Sequence, residues 1–159
     1  MNKTQKRNIL FLFLFLILSF SASGIGSLFT VPEVPIWYAG LNKPAYSPPD
    51  WIFTPVWMTL YTLMSIAAWL VWRKVGFNSF AIKLFLLQLF LNLLWPIIFF
   101  GQHQIGWALV EILFLLLAII LTTNVFFKHN MWAGILMAPY IIWVEFETYL
   151  NFNLWRLNF

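Results

Sequence analysis

The chain has no cysteine. Disulfides, thiolate catalysis and cysteine-ligated metals are therefore excluded. Charge is scarce too: Asp, Glu, Lys and Arg make up 9% of its 159 residues, against roughly 25% in an average soluble domain. Its two histidines, His103 and His129, fall in turns at opposite ends of any membrane arrangement and cannot share one metal. No metal-ligand spacing recurs, and no conventional nucleophile or acid–base dyad stands out. There is also no internal repeat, and the paired broken helices of many carriers are missing. The formal charge of +4 is not a nucleic-acid signal, because the basic residues are dispersed and most flank apolar runs.

What is present is apolar: 62% of the residues are hydrophobic and the mean hydropathy is +0.84. At ~20 residues per span, the chain has room for five helices with short connections and no separate soluble module. It reads as an all-α membrane protein, a bundle of five transmembrane helices forming one domain over residues 1–159. The spans fall at about 9–29, 47–72, 80–100, 105–127 and 131–154. Lys3, Lys6 and Arg7, an apolar core and "SASG" also fit a cleavable signal peptide, but the apolar stretch continues through "GIGSLF" and is long enough to span.

Five spans put the termini on opposite sides. Lys3, Lys6, Arg7, Arg73, Lys74, Lys83 and Lys128 then share the N-terminal side, leaving Lys43 and Arg156 on the other. The positive-inside rule predicts a cytoplasmic N-terminus and an external C-terminus, in a bacterial-type cytoplasmic membrane.

One connection is unusual. "WYAGLNKPAYSPPDWIFTPVW", residues 37–57, holds four prolines, three tryptophans and two tyrosines, but one lysine and one aspartate. Its "SPPD" reads as a helix start, with Ser47 at the N-cap, Pro48 at the first helical position and Asp50 in the first turn. Pro55 is expected to kink the helix one turn later.

Polar residues inside spans are costly toward lipid, so they report the inward faces. At about 100° per residue, Tyr140, Trp143, Glu147 and Asn151 fall within about 80° of one another. Gln88, Asn92 and Trp95 share a face of the third span, and Trp107, Glu111 and Phe114 a face of the fourth. By depth, most of these groups lie in the outer half, joined by Trp51 and Trp57 from the second span. Four helices therefore present aromatic and polar groups to one outer-half pocket, with the proline-stiffened connection as its lid. Other readings compete. Trp69, Trp72, Trp132 and Trp155 fit an interfacial belt, Trp57 and Trp95 fit helix packing, and Gln88 and Asn92 fit interhelical hydrogen bonding. Glu111 fits a neutral carboxyl bonded to a neighbouring helix as well as a pocket group. Glu145 lies about 140° from the Tyr140 face and has no assigned place.

Three blocks then resemble a known family: "WYAGLNKPAYSPPDWIFTPVWMTLY" (Trp37 to Tyr61), "LNLLWPIIFFGQHQIGWALVE" (Leu91 to Glu111) and "PYIIWVEFETYLNFNLWRLN" (Pro139 to Asn158). They are similar to the translocator protein family, also called tryptophan-rich sensory proteins (TspO) or peripheral-type benzodiazepine receptors. The resemblance implies a five-helix homodimer that binds tetrapyrroles (porphyrins) and benzodiazepine-type or isoquinoline carboxamide ligands. It places their pocket beneath the loop joining helices 1 and 2. It carries pocket roles to Trp51, Trp107, Trp143 and Asn151, and loop roles to Tyr38, Pro48 and Pro49.

The expected ligand set is therefore Tyr38, Pro48, Pro49, Trp51, Asn92, Trp107, Glu111, Tyr140, Trp143, Glu147 and Asn151, in contact with a tetrapyrrole or another hydrophobic small molecule and with membrane lipid. Light- and oxygen-dependent porphyrin degradation through Trp51 and Trp143 is the alternative, and transport of porphyrin or lipid-like molecules the second alternative. No cofactor is required; porphyrin would be ligand or substrate. The family's sterol pattern is broken, because Phe152 stands where its tyrosine belongs and Tyr149 lies one residue too far from Arg156. Glu147 occupies a position that is often small and apolar in relatives, which points to altered ligand choice. No GxxxG motif marks the third helix; the small residues sit on the first, at Ser19, Ala22, Ser23, Gly26 and Ser27.

Overall fold

The computed structural model describes residues 2–159. Five long helices follow one another: α1 (Lys3–Glu33), α2 (Phe53–Val75), α3 (Phe80–Pro96), α4 (Ile105–His129) and α5 (Met131–Asn158). Three of them are capped by their own sequence. Asn2 and Gln5 form a capping box at α1. Ser79 Oγ accepts from the Ile82 N–H at α3, and Asn130 Oδ1 accepts from the N–H groups of Trp132 and Ala133 at α5. These side chains occupy donors that the first helical turn leaves open. Gly76, at φ +76°, ends α2 in the left-handed region that glycine adopts without a Cβ penalty.

Four helical stretches, Lys3–Glu33, Asp50–Val75, Phe80–Gly101 and Ile105–His129, are long and apolar enough to cross a membrane. α5, with 28 residues, is long enough at ~1.5 Å per residue but carries more polar side chains. Glu147 and Asn151 among them are turned into the bundle and buried. Large apolar side chains cover the outside instead: Leu10, Leu28, Phe90 and Ile142 are all well over half exposed. Apolar outside with polar groups inside is the arrangement that a bilayer stabilises. The chain is an integral membrane protein.

α4 packs most extensively on α5 and then on α3, while α1 packs on α2 and α3. At one end of the bundle, Trp69 Nε1 donates to the Asn8 carbonyl and Lys74 Nζ to the His129 carbonyl. At the other end lies the α1–α2 connection. There Trp37 stacks on His103 at 4.3 Å, and Asn42 and Asn158 exchange two hydrogen bonds of 2.9 and 3.0 Å. These are called the N-terminal end and the lid end below.

Two expectations need correction. The second helix does not start at Ser47–Pro48. A 3₁₀ turn, Asp50–Ile52, precedes α2, and Pro49 is extended at φ −57°, ψ 142°. A proline disfavours helical backbone in the residue before it, so "SPP" holds Ser47 and Pro48 out of the helix. Ser47 instead closes a turn onto the Pro44 carbonyl. Pro55 consequently lies in the first turn of α2, where its missing N–H has no helical carbonyl to meet. α3 is also not uniform to residue 100. After Pro96 the chain widens into a π-helical turn, Ile97–Gly101. Pro96 cannot donate to the carbonyl one turn back, which frees the ladder to shift.

Candidate functional site

A cavity of about 450 Å³ opens in the lid half. Its walls come from α1, α2, the α3 end with its π turn, and α5, and the connection contributes Tyr38. Local sequence explains each wall. α1 can approach α3 closely because Gly26 faces Pro96, where a Cβ would lie 3.0 Å from the proline ring. The π turn swings Phe99 and Phe100 into the site, so Trp95 and Phe99 stack at 4.7 Å. Trp57 and Tyr61, one turn apart on α2, lie 5.3 Å apart. Ser27 and Val31 of α1 and Thr54 and Met58 of α2 are exposed rim residues. The opening therefore lies along the α1–α2 seam.

Polar groups are few and mostly bonded. Glu147 Oε1 accepts from two indoles, Trp57 Nε1 at 3.0 Å and Trp143 Nε1 at 2.8 Å. Asn151 accepts from Trp95 Nε1 at 3.1 Å and donates to the Ile105 carbonyl at 3.0 Å. Deeper, the Tyr61 hydroxyl donates to Asn92 Oδ1. Asn92 Nδ2 donates to the Tyr140 hydroxyl at 2.7 Å, and Tyr140 donates to Gln88 Oε1 at 2.8 Å. Beneath this chain the bundle is closed by Met64, Ser65, Phe15 and Ser19, all fully buried. Ser65 ties α2 to α1 through Ser19 Oγ at 2.9 Å. In the connection, burial and the neighbouring Asp50 carboxylate push the Tyr38 hydroxyl up to about 12. It stays a neutral donor, with the Lys43 ammonium 4.0 Å above its ring.

The structure brings Tyr38, Asn92, Glu147 and Asn151 to the cavity wall. It places the other expected site residues elsewhere. Tyr140 is buried behind Asn92, and Trp143 stands behind Glu147 with its N–H on that carboxyl. Pro48 and Pro49 lie in the connection, half-buried and exposed respectively. Trp51 is 73% exposed and Trp107 68%. Glu111 is buried in the bundle on α4, with no hydrogen-bond partner on either oxygen among the described residues. α4 supplies no wall residue; α1 takes its place through Ala22, Gly26 and Thr30. Glu145 is exposed on the far face of α5. Among the residues that sequence reasoning passed over are the apolar Phe53, Phe99, Phe100, Leu150 and Leu154. The available signal was Pro96, which foretells a break and hence a redirected Phe99–Phe100 pair.

The TspO/MBR family model matches residues 13–156. The human translocator protein is 44% identical over 138 residues, covering 84% of this chain and 82% of that protein. The tryptophan-rich protein TspO of Archaeoglobus fulgidus is 40% identical over 152 residues, or 95% of this chain and 99% of its own. The tryptophan-rich sensory protein of Cereibacter sphaeroides is 41% identical over 122 residues, 77% of each.

Proposed function

The chain belongs to the TspO/MBR family, and on that premise we propose that it is a membrane receptor or sensor whose ligand is a flat, largely apolar molecule. A tetrapyrrole is the first class to test and benzodiazepine-type or isoquinoline carboxamide compounds the second. The observation that carries this reading is the lid-half cavity, a concave site with aromatic walls and a few bonded polar groups, as small-molecule sites generally have. Rings from Tyr38, Phe53, Trp57, Tyr61 and Phe99 offer faces for stacking. At ~25 cal/mol per Å² of apolar area, a partly enclosed macrocycle gains several kcal/mol before ordering costs. The relatives' names speak of sensing and of translocation. The floor at Met64 and Ser65 favours binding over passage, because fully buried side chains stand between the cavity and the N-terminal end. With the basic residues at that end facing the cytoplasm, the cavity lies in the outer half of the membrane.

The test is a porphyrin titration of the protein in non-ionic detergent, first in darkness and then under light in air. Saturable one-to-one dark binding, weakened at least several-fold by Phe99→Ala, supports the receptor. Light-dependent loss of the porphyrin band to a defined product would favour degradation instead. In that case Trp57 and Trp95, which face the cavity, are the tryptophans to replace. No saturable binding would defeat the tetrapyrrole reading.

A further inference from the structure

Glu147 is 7% exposed, and its burial is only half explained by the protein around it. Both indole donors, Trp57 and Trp143, converge on Oε1. Among the described residues, Oε2 accepts no hydrogen bond, although Glu147 is part of the cavity wall. A carboxyl group withdrawn from water is costly unless its oxygens find donors or a counter-charge. The chain satisfies one oxygen and leaves the other without a donor, on a residue of the cavity wall.

The rest of the lining has the same sign. Asp50 is the other charged residue on the wall, and no lysine or arginine is found there. Lys43, the lysine of the connection, has its ammonium engaged over the Tyr38 ring. Of the other polar donors on the wall, the Tyr61 hydroxyl is committed to Asn92 and the Trp95 N–H to Asn151, while the Tyr38 hydroxyl remains a neutral donor. A planar anion would therefore meet two carboxyl groups and no cation. A planar molecule with an N–H or ammonium edge would meet aromatic faces and a waiting acceptor.

Resting on the small-molecule reading of this cavity, we propose that Glu147 is its specificity-determining residue. It selects flat aromatic ligands that present a cationic or N–H donor edge to Oε2, and Asp50 at the rim adds to the preference. The indoles of Trp57 and Trp143 act as positioning residues that hold the carboxyl in place.

Three probes of one shape separate this from general hydrophobic capture: 9-aminoacridine, a cation at neutral pH; anthracene, neutral; and 9-anthracenecarboxylate, an anion. Each is titrated by fluorescence into the protein in non-ionic detergent, and by competition against porphyrin. The expected order of affinity is cation, then neutral, then anion. Glu147→Gln keeps a carbonyl oxygen for the two indoles but replaces the other acceptor with a donor. It should weaken the cation about 10- to 100-fold, the span of ~1.5–3 kcal/mol for a hydrogen bond to a charged group, and leave anthracene within about twofold. Asp50→Asn should weaken the cation only a few-fold, because its site is exposed and screened.

An unchanged affinity of 9-aminoacridine in folded Glu147→Gln would overturn the proposal, and so would an anion that binds as well as the cation. In both cases anthracene and porphyrin would still bind, and the small-molecule reading would stand. Saturable porphyrin binding with none of the three probes competing would also overturn the donor-edge proposal alone. Only loss of binding by every compound, porphyrin included, would remove the reading on which it rests.

Discussion

The two halves of this bundle are built from the same five helices, yet they solve different problems. In the N-terminal half, α1 and α2 close on α3 and α4 through residues such as Phe15, Ala67, Ala68 and Phe85, all fully buried. Phe15 meets the Phe85 ring edge-on at 5.8 Å, and small alanines let backbones approach. In the lid half three of the four walls carry an irregularity: Pro32 in the last turn of α1, the 3₁₀ turn before α2 and the π turn after Pro96. Regular helices with small residues fill space; interrupted helices with large rings enclose it. The boundary is the chain Tyr61–Asn92–Tyr140–Gln88. The lesson is that irregular backbone here positions aromatic side chains around a void.

That contrast can be broken most severely from the packed side. Phe15→Ala should cost about 3–5 kcal/mol of stability, read as a large drop in the thermal unfolding midpoint in detergent. Porphyrin affinity per folded molecule should be unchanged, and a selective loss of affinity would show that the halves are not separable. At the boundary, Asn92→Ala strips partners from two buried tyrosine hydroxyls, at about 1–3 kcal/mol. It should lower both stability and affinity, and an effect on neither would remove the network from the account. At the lid, Asn158→Ala deletes both side-chain hydrogen bonds to the Asn42 backbone, worth ~0.5–1.5 kcal/mol each. Stopped-flow release of bound porphyrin should quicken several-fold while overall stability changes little. The smallest effect is expected at Trp107→Phe, because that indole faces outward. Stability should stay within about 0.5 kcal/mol and affinity within twofold; a tenfold loss would return α4 to the site.

Much of this was legible in the sequence. The five helices follow from run length and turn residues, and the 100° step put Glu147 and Asn151 on one inward face, where both are buried. The limits of that step are equally instructive. Trp107 and Glu111 are one turn apart on α4, about 40° around its axis, yet Glu111 is buried and Trp107 exposed, so the edge of the buried face falls between them. Rotation of α4 about its axis is set by its packing on α3 and α5, and this leaves Trp107 outside. α1 was missed as a wall because its contribution is small side chains, Ala22 and Gly26, which matter through the space they leave. The "SPPD" start misleads because capping preferences alone omit the restriction each proline places on the residue before it. Two polar positions resolved oppositely. Glu147 gains two indole donors, whereas Glu111, equally buried, gains none among the described residues.

The most direct measurement fills the cavity without disturbing the packed half. Ala22 is a buried wall residue of α1, and Ala22→Phe would project a ring into the void. Porphyrin titrations of the wild type and Ala22→Phe, in darkness and at one detergent concentration, compare the two states of the site. The account predicts saturable wild-type binding that weakens at least tenfold in the filled protein, with the unfolding midpoint held. Equal affinity in a folded Ala22→Phe protein would contradict it and place the ligand elsewhere.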